Sequence, residues 1–258
     1  MTKIKTLIKK VSGLKTILIY WRSMRPEHPW FEKLKLLKHF SKDWKTYHLI
    51  KRNEAFILKN EILKPMIFDR TNETLIDPVY FYQNAWCARK VFENKPTKHI
   101  DVGSDSKLVG ILSQFVPTTM VDIRPVNLNM LGFSFVKGDI TSLPFKDEEI
   151  ISLSSICVIE HIGLGRYGDT MDQFGTEKAV GELFRVLGKN GNLYISVPVD
   201  SENRIYFNAH RAFTREYILS LFSGLKLIEE KYIYGRELQN DYAPVKGFGT
   251  GLFYFKKI

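Results

Sequence analysis

Cysteine is scarce: Cys87 and Cys157 are the only two in 258 residues, seventy positions apart. That excludes a disulfide framework and implies reduced thiols, as in a cytoplasmic protein. No run of eighteen apolar residues occurs, so nothing here must span a bilayer. The N-terminus has neither the long unbroken apolar core nor the small-residue cleavage site of a secretory signal. There is no Asp-x-Asp pair for a sugar-nucleotide metal site, and no histidine–carboxylate cluster with metal-ligand spacing, so no metal is expected. Glycine and proline, at 17 and 10, are in ordinary number, without repeats or low-complexity tracts.

What is abundant is positive charge, and it is uneven. Residues 1 to 60 hold fifteen Lys/Arg against four Asp/Glu, or +11, whereas the rest of the chain sums to −1. Such asymmetry fits an acidic partner such as anionic lipid, nucleic acid or a charged polymer, or else solvated helical faces. Within residues 1–25 a basic face accompanies Leu7, Ile8, Val11, Leu14, Ile17, Leu18 and Trp21. That stripe suits a helix lying on the inner membrane surface, or one packed on the main domain.

Segments 31–40 and 42–63 carry apolar residues at helical spacing, and Pro65 closes the second. "VYFYQNAWCARKVFENK" reads as a further helix with Tyr80, Gln83, Asn84 and Cys87 along one side, started by the Asp77-Pro78 pair. From Lys98 short apolar strands alternate with helices, the pattern of a parallel α/β sheet. "KHIDVGS", "TTMVDIRP", "FSFVKGDI", "EEIISLSSICVIEHI" and "NLYISVPV" are five strands. "TEKAVGELFRVLGKNG" is a helix with Gly191 as its C-cap, and "GLKLIEEKYIYG" and "GLFYFKKI" are final strands able to pair. The expected organisation is a basic helical extension, residues 1–78, on one nucleotide-binding-type domain, residues 79–258.

Residues 163–168, "GLGRYG", have the spacing of a pyrophosphate-binding turn. A ligand in an open α/β sheet, however, sits beyond the first strand, where "DVGSDS" stands instead. "GLGRYG" follows the fourth strand, and "DTMDQFG" delays the next helix, so a dinucleotide is excluded on context. "DVGSDS" has one glycine, Gly103, and two acids, Asp101 and Asp105, that would repel phosphate. S-adenosylmethionine, with a cationic sulfonium and no phosphate, fits better. Asp122, nineteen positions after Gly103, is placed for ribose hydroxyls with Ile123 beside it. Asp139 ends the third strand, placed for the adenine amino group, with Ile140 against the ring.

"IDVGS…VDIRP…GDITSLPFKDEEI…VIEHI" resembles the motif order of class I S-adenosylmethionine-dependent methyltransferases over roughly residues 98–200. The resemblance implies a Rossmann-like α/β fold, a mostly parallel sheet with an antiparallel last strand. "DVGSDS" departs from it in lacking the second and third glycines. "YFYQNAW", "DVGS", "VDIRP", "VIEHIGLGRYGD", "RVL…GNLYISVPV" and "FNAHR", from about Asp77 onward, are similar to a methyltransferase-like family known only as a domain of unknown function. That resemblance implies an association with bacterial polysaccharide biosynthesis.

Methyl transfer to a hydroxyl needs an aligned acceptor and a proton acceptor. Of six histidines, His161 and His210 follow the fourth and fifth strands, on the reacting side; His28, His39, His48 and His99 read as surface or core. His161 is a candidate base or a pocket support. In "FNAHR", Asn208, His210 and Arg211 could hold a sugar hydroxyl and an adjoining phosphate or carboxylate, or Asn208 could cap a helix. Arg166, Tyr167 and Asp169 follow the fourth strand, where similar enzymes carry acceptor loops. They suit an acidic or hydroxyl-rich ligand, or an internal Arg166–Asp169 pair. The expected function is O-methylation of a saccharide or lipid-linked glycan. The alternative is a non-catalytic membrane-peripheral scaffold of a glycan-assembly complex with a degenerate cofactor pocket. RNA methylation fits less well, since no RNA-binding module is recognisable and nucleic acid is not the expected partner.

Overall fold

The computed structural model describes residues 29–59 and 63–258. The described residues divide into two compact units, with the boundary between Leu75 and Ile76. The amphipathic stripe of residues 1–25 and residues 60–62 lie outside the described residues. In the first unit, α1 spans Trp30–Leu49 without interruption, where the sequence suggested two helices meeting near residue 41. Ser41 and Lys42 contain no breaker, so the ladder continues through them. The helix ends at Ile50 in extended backbone, and Asn53 then accepts from Ala55 N, a local turn that competes with helix. Residues 51–59 are irregular, so the second expected helix stops well short of residue 63.

The second unit opens with α2, Pro78–Asn94, where Asp77 caps the N–H groups of Val79 and Tyr80 and Pro78 occupies the first turn. β1 (His99–Val102), α3 (Ser106–Leu112), β2 (Thr118–Asp122), β3 (Phe133–Lys137) and β4 (Ile150–Ile156) follow. Next come a 3-10 turn (Ile159–His161), α4 (Gly175–Val186), β5 (Leu187–Val199) and a hairpin of β6 (Arg204–Tyr206) with β7 (His210–Ala212). α5 (Arg215–Leu221), β8 (Lys226–Tyr234), β9 (Glu237–Gln239) and β10 (Gly249–Lys256) complete it. The main sheet has the order β3-β2-β1-β4-β5-β10-β8-β9. β1 to β5 are parallel, and β10 runs antiparallel between β5 and β8, so the two final strands pair as expected.

Side-chain alternation sends the two sides of each central strand into separate cores. Leu193, Ile195, Val197 and Val199 of β5 join Leu183 of α4 and Phe222 after α5; Tyr194 joins Trp86 of α2 and Leu108 of α3. Both faces are covered, which is why these strands read as continuous apolar runs. Each such buried side chain contributes roughly 1.5–3 kcal/mol.

Three local expectations are corrected. Gly191 is not a helix C-cap: α4 ends at Val186 and passes directly into β5. The register jumps from Ile150↔Leu187 to Ser152↔Asn192, and a Cβ on Gly191 would lie 2.7 Å from Gly188 O, so the glycine permits a tight bulge. "FNAHR" starts no helix; Asn208, at φ 64°, turns the β6–β7 hairpin, a conformation asparagine tolerates. Asp139 lies two residues beyond the end of β3, in a bridge with Ser142.

Candidate active site

β1 and β4 are neighbours whose chain continues to opposite sides of the sheet, leaving a crevice beyond their C-terminal ends. Two adjoining cavities occupy it, of about 160 Å³ and about 760 Å³. Gly103, Asp122, Arg124, Cys157, His161 and Tyr167 border both.

The smaller cavity gathers Gly103, Asp122, Ile123, Asp139 and Ile140. Gly103 has φ 72°, the left-handed turn that lets the chain leave β1 sharply. Asp122 has a side chain only 10% exposed, and its Oδ1 accepts from Arg124 N at 2.7 Å. Asp139 spends Oδ1 on Thr141 N and Oγ1, each at 2.8 Å, and neither bond uses Oδ2. Between the acids, Ile123, Ile140, Val158 and Ile162 form an apolar wall.

Asp101 belongs elsewhere. It is fully buried, borders neither cavity, and accepts from Ser104 N at 3.1 Å, Ser104 Oγ at 2.6 Å and Ser154 Oγ. Burial pushes its carboxyl up to about 6 even against those bonds. Ser104 Oγ also accepts from Ile156 N, so Asp101 braces the β1 turn against β4 and does not face a ligand. His99 is core, as read: its nitrogens meet Ser152 and Ser154, and burial lowers it to about 3.

The "GLGRYG" stretch does cradle an anion with backbone N–H groups, and the anion is its own Asp169. Oδ2 accepts from Gly163 N at 2.8 Å and Gly165 N at 3.2 Å, and Oδ1 from Tyr167 N at 3.1 Å. Gly163, Gly165 and Gly168 all have positive φ, and a Cβ on Gly163 would stand 2.0 Å from Asp172 O. Desolvation opposes ionisation of Asp169, but the three N–H bonds outweigh it and hold its carboxyl below the usual range. No Arg166–Asp169 pair forms: Arg166 reaches across to Ala209 O at 2.9 Å and lies over the Tyr167 ring, 5.0 Å from its centroid.

His161 and His210 come together, ring centroids 6.5 Å apart, at the edge of the larger cavity. His161 Nδ1 lies 2.6 Å from Ala209 O, an acceptor, so Nδ1 carries the proton and Nε2 the lone pair. Burial lowers His161 to about 4, which keeps it neutral at pH 7. His210 is lowered as well, by burial and then by the Arg166 charge.

Asn208 and Arg211 do not join this edge. Arg211 is buried, and its guanidinium donates to Ile162 O at 2.6 Å, Thr176 Oγ1 at 3.3 Å, Asp172 O at 3.2 Å and Gln173 O at 3.3 Å. It clamps both ends of the glycine loop, because alternation along β7 points His210 to one face and Arg211 to the other.

Four contributors escaped sequence reasoning. Glu160 is 1% exposed, with Oε1 3.6 Å from His161 Nε2 and Oε2 buried without a hydrogen-bond partner. Burial pushes its carboxyl up to about 8, so it is a neutral acid at pH 7. Cys157 takes φ 53° at the end of β4, a strained position for a non-glycine, and its Sγ donates to Gln83 Oε1 at 3.1 Å. Tyr80 and Phe248 line the larger cavity from outside the strand-end motifs. For Glu160 the signal was present in "EH"; for Phe248 there was none.

Residues 146–241 match the model of a family described as "Caenorhabditis protein of unknown function, DUF268". No curated protein matches the chain. Among solved structures, a Burkholderia thailandensis 1,6-didemethyltoxoflavin-N1-methyltransferase with bound 1,6-didemethyltoxoflavin and S-adenosylhomocysteine is similar at TM-score 0.51 and 14% identity. The match covers 91% of this chain and 92% of that one. N-methyltransferase NodS from Bradyrhizobium japonicum WM9, in complex with S-adenosylhomocysteine, is similar at 0.51 and 14%, over 75% and 91%. The [4+2]-cyclase SpnF is similar at 0.52 and 12%, over 67% and 80%. At such identities the likeness concerns the fold, and a cyclase among these structures shows that the fold does not dictate the reaction. The domain has the mostly parallel, Rossmann-like sheet of the class I methyltransferases, with its antiparallel strand β10.

Proposed function

We propose that the chain is an S-adenosylmethionine-dependent methyltransferase acting on a hydroxyl of a saccharide or lipid-linked glycan. The observation that carries the cofactor reading is the convergence of Gly103, Asp122 and Asp139 on one cavity with an apolar wall. The donor set fits the cofactor: two carboxylates for ribose and adenine, isoleucines for the ring, and no row of backbone amides for a phosphate. The unpartnered Glu160 Oε2 adds a buried polar group, neutral at pH 7, beside the larger cavity. When bound, the cofactor would supply a methyl group activated by its sulfonium.

The chain's own part is to orient and deprotonate. His161 borders the larger cavity and is held by Ala209 O with Nε2 free of a proton, 3.6 Å from Glu160 Oε1. A hydroxyl within reach of Nε2 would pass its proton there as its oxygen gains the methyl group. Cys157 and the glycine loop close the site around that position. Substrate identity rests on the sequence resemblance to glycan-associated proteins, and the basic residues 1–25 belong to the same reading as a peripheral contact with anionic membrane in the cytoplasm. Among the described residues, no helix is long and apolar enough to cross a membrane.

Calorimetry with S-adenosylmethionine and S-adenosylhomocysteine tests the cofactor. Wild type binds, and Asp122→Ala binds roughly 10- to 100-fold more weakly, the worth of hydrogen bonds to a charged group. No binding, or equal binding by the variant, favours the degenerate scaffold instead. Flotation on anionic vesicles, with and without residues 1–25, tests the membrane contact; if neither form floats, it is wrong.

A further inference from the structure

We propose that the larger cavity is an acceptor site for a ring hydroxyl compound that also carries an anionic group, a carboxylate or a phosphate. Arg166 binds the anion, and His210 and Phe248, backed by Tyr206, face the ring. This rests on the methyltransferase reading only for calling the ligand an acceptor.

Charge accounting in the cavity singles out Arg166. Asp122 is paired with Arg124, whereas Asp77 and Asp105 are held only by the neutral donors Val79 N, Tyr80 N and Asn84 Nδ2, so of the two arginines Arg166 is the one left for a ligand's anion. Asp169 is enclosed by its own loop, and Glu160 keeps its proton. Arg166 makes no ion pair with a carboxylate among the described residues. Its Nη1 is anchored on Ala209 O, and its plane rests over Tyr167, whose ring also lies under Arg124 at 4.4 Å. Anchoring on one nitrogen leaves the other edge of the guanidinium for a fork-like bond to two oxygens of a carboxylate or phosphate. An already oriented fork loses little entropy on binding.

The neighbouring wall is aromatic. His210 lies 5.1 Å from Tyr206 and 5.4 Å from Phe248, centroid to centroid, and Tyr206 meets Phe248 edge-on at 6.1 Å. Phe248 is 49% exposed and lines the cavity with His210, so these two rings are surfaces offered to a ligand and not core. A ring against this wall has the Arg166 cation on one side. On the same side, since Arg166 Nη1 is 3.4 Å from His161 Nδ1, lie the buried Glu160 Oε2 and His161 Nε2, which suit a hydroxyl close to the anionic group. The sequence offered two arginines for an acidic ligand, Arg166 and Arg211; Arg166 borders the cavity, whereas Arg211 is turned into the loop clamp.

The test titrates the full chain, by calorimetry, with glucuronate, glucose 6-phosphate, glucose and glucosamine, using wild type, Arg166→Gln and Arg166→Lys. One or both anions bind at least about tenfold more tightly than glucose, and glucosamine binds no better than glucose. Arg166→Gln abolishes the preference, and Arg166→Lys keeps part of it, since a point charge lacks the fork. Whichever anion binds more tightly identifies the group as carboxylate or phosphate. Absence of binding by both anions, equal affinity for glucose, or an unchanged preference in Arg166→Gln overturns the proposal. Anion selectivity without S-adenosylhomocysteine binding removes the methyltransferase reading alone; the converse removes only the acceptor class.

Discussion

Replacing Glu160 by glutamine preserves the shape of a buried side chain and removes its titration. In the native state burial pushes this carboxyl from 4.5 to about 8, and the groups facing it are Cys157, His161 and Arg166. Below pH 4.5 the folded and unfolded chains both hold the proton, and its contribution to stability is fully present. As pH rises from 4.5 towards 8 the unfolded chain loses the proton while the folded one keeps it. Stability therefore falls by about 1.4 kcal/mol per unit and is lost by the time the folded carboxyl ionises. Between pH 5.5 and 7.5 that is about 2.7 kcal/mol, or roughly 5–11 °C in Tm for a domain of this size. His161 and His99, lowered to about 4 and about 3, act in the opposite sense, costing stability as pH falls below 6.5. They are present in both proteins, so the difference between wild type and Glu160→Gln isolates the carboxyl. Thermal melts of the two proteins at pH 5.5, 6.5, 7.5 and 8.5 read it directly, and any constant cost of the new amide drops out of the slope. If the two Tm curves run parallel across this range, Glu160 is ionised in the native state and the burial argument fails.

Two further expectations concern the glycine loop. Arg211→Met leaves four acceptors of the clamp without their donor and costs about 3–5 kcal/mol, seen as a lower Tm and faster proteolysis between Gly163 and Gly175. A melting temperature within about 2 °C of wild type would mean the clamp is dispensable. Asp169→Ala empties the N–H cradle and costs about 1–3 kcal/mol, and millimolar formate restores part of the Tm because the vacated amides still converge on an anion. Formate raising wild type and variant equally would refute the cradle.

Much of the domain is legible because its signals are local. Short apolar runs alternating with helical segments placed the strands, Asp77-Pro78 marked a helix start, and successive strand ends carried Gly103 and Asp122 to one side of a parallel sheet. The plug of the glycine loop was missed: Asp169 was read as a ligand contact or a partner of Arg166, and its carboxylate takes the loop's own amides instead. Where turn chemistry was ambiguous the reading slipped. Gly191 looked like a helix cap and serves a bulge, because strand pairing with β4 outbid another turn of helix. Asn208 looked like an N-cap and turns a hairpin for the same reason.

The amino-acid sequence by itself determined the α/β class, the crevice beside β1 and β4, and the placing of "GLGRYG" away from the cofactor turn. Tertiary structure alone decided which charged groups are spent and which are free. Asp101 and Arg211 find their partners on segments tens of residues away, across a sheet whose alternation assigns each side chain to one face. Burial then sets the protonation of Glu160 and His161, a property of the surrounding low-dielectric packing that no local pattern encodes.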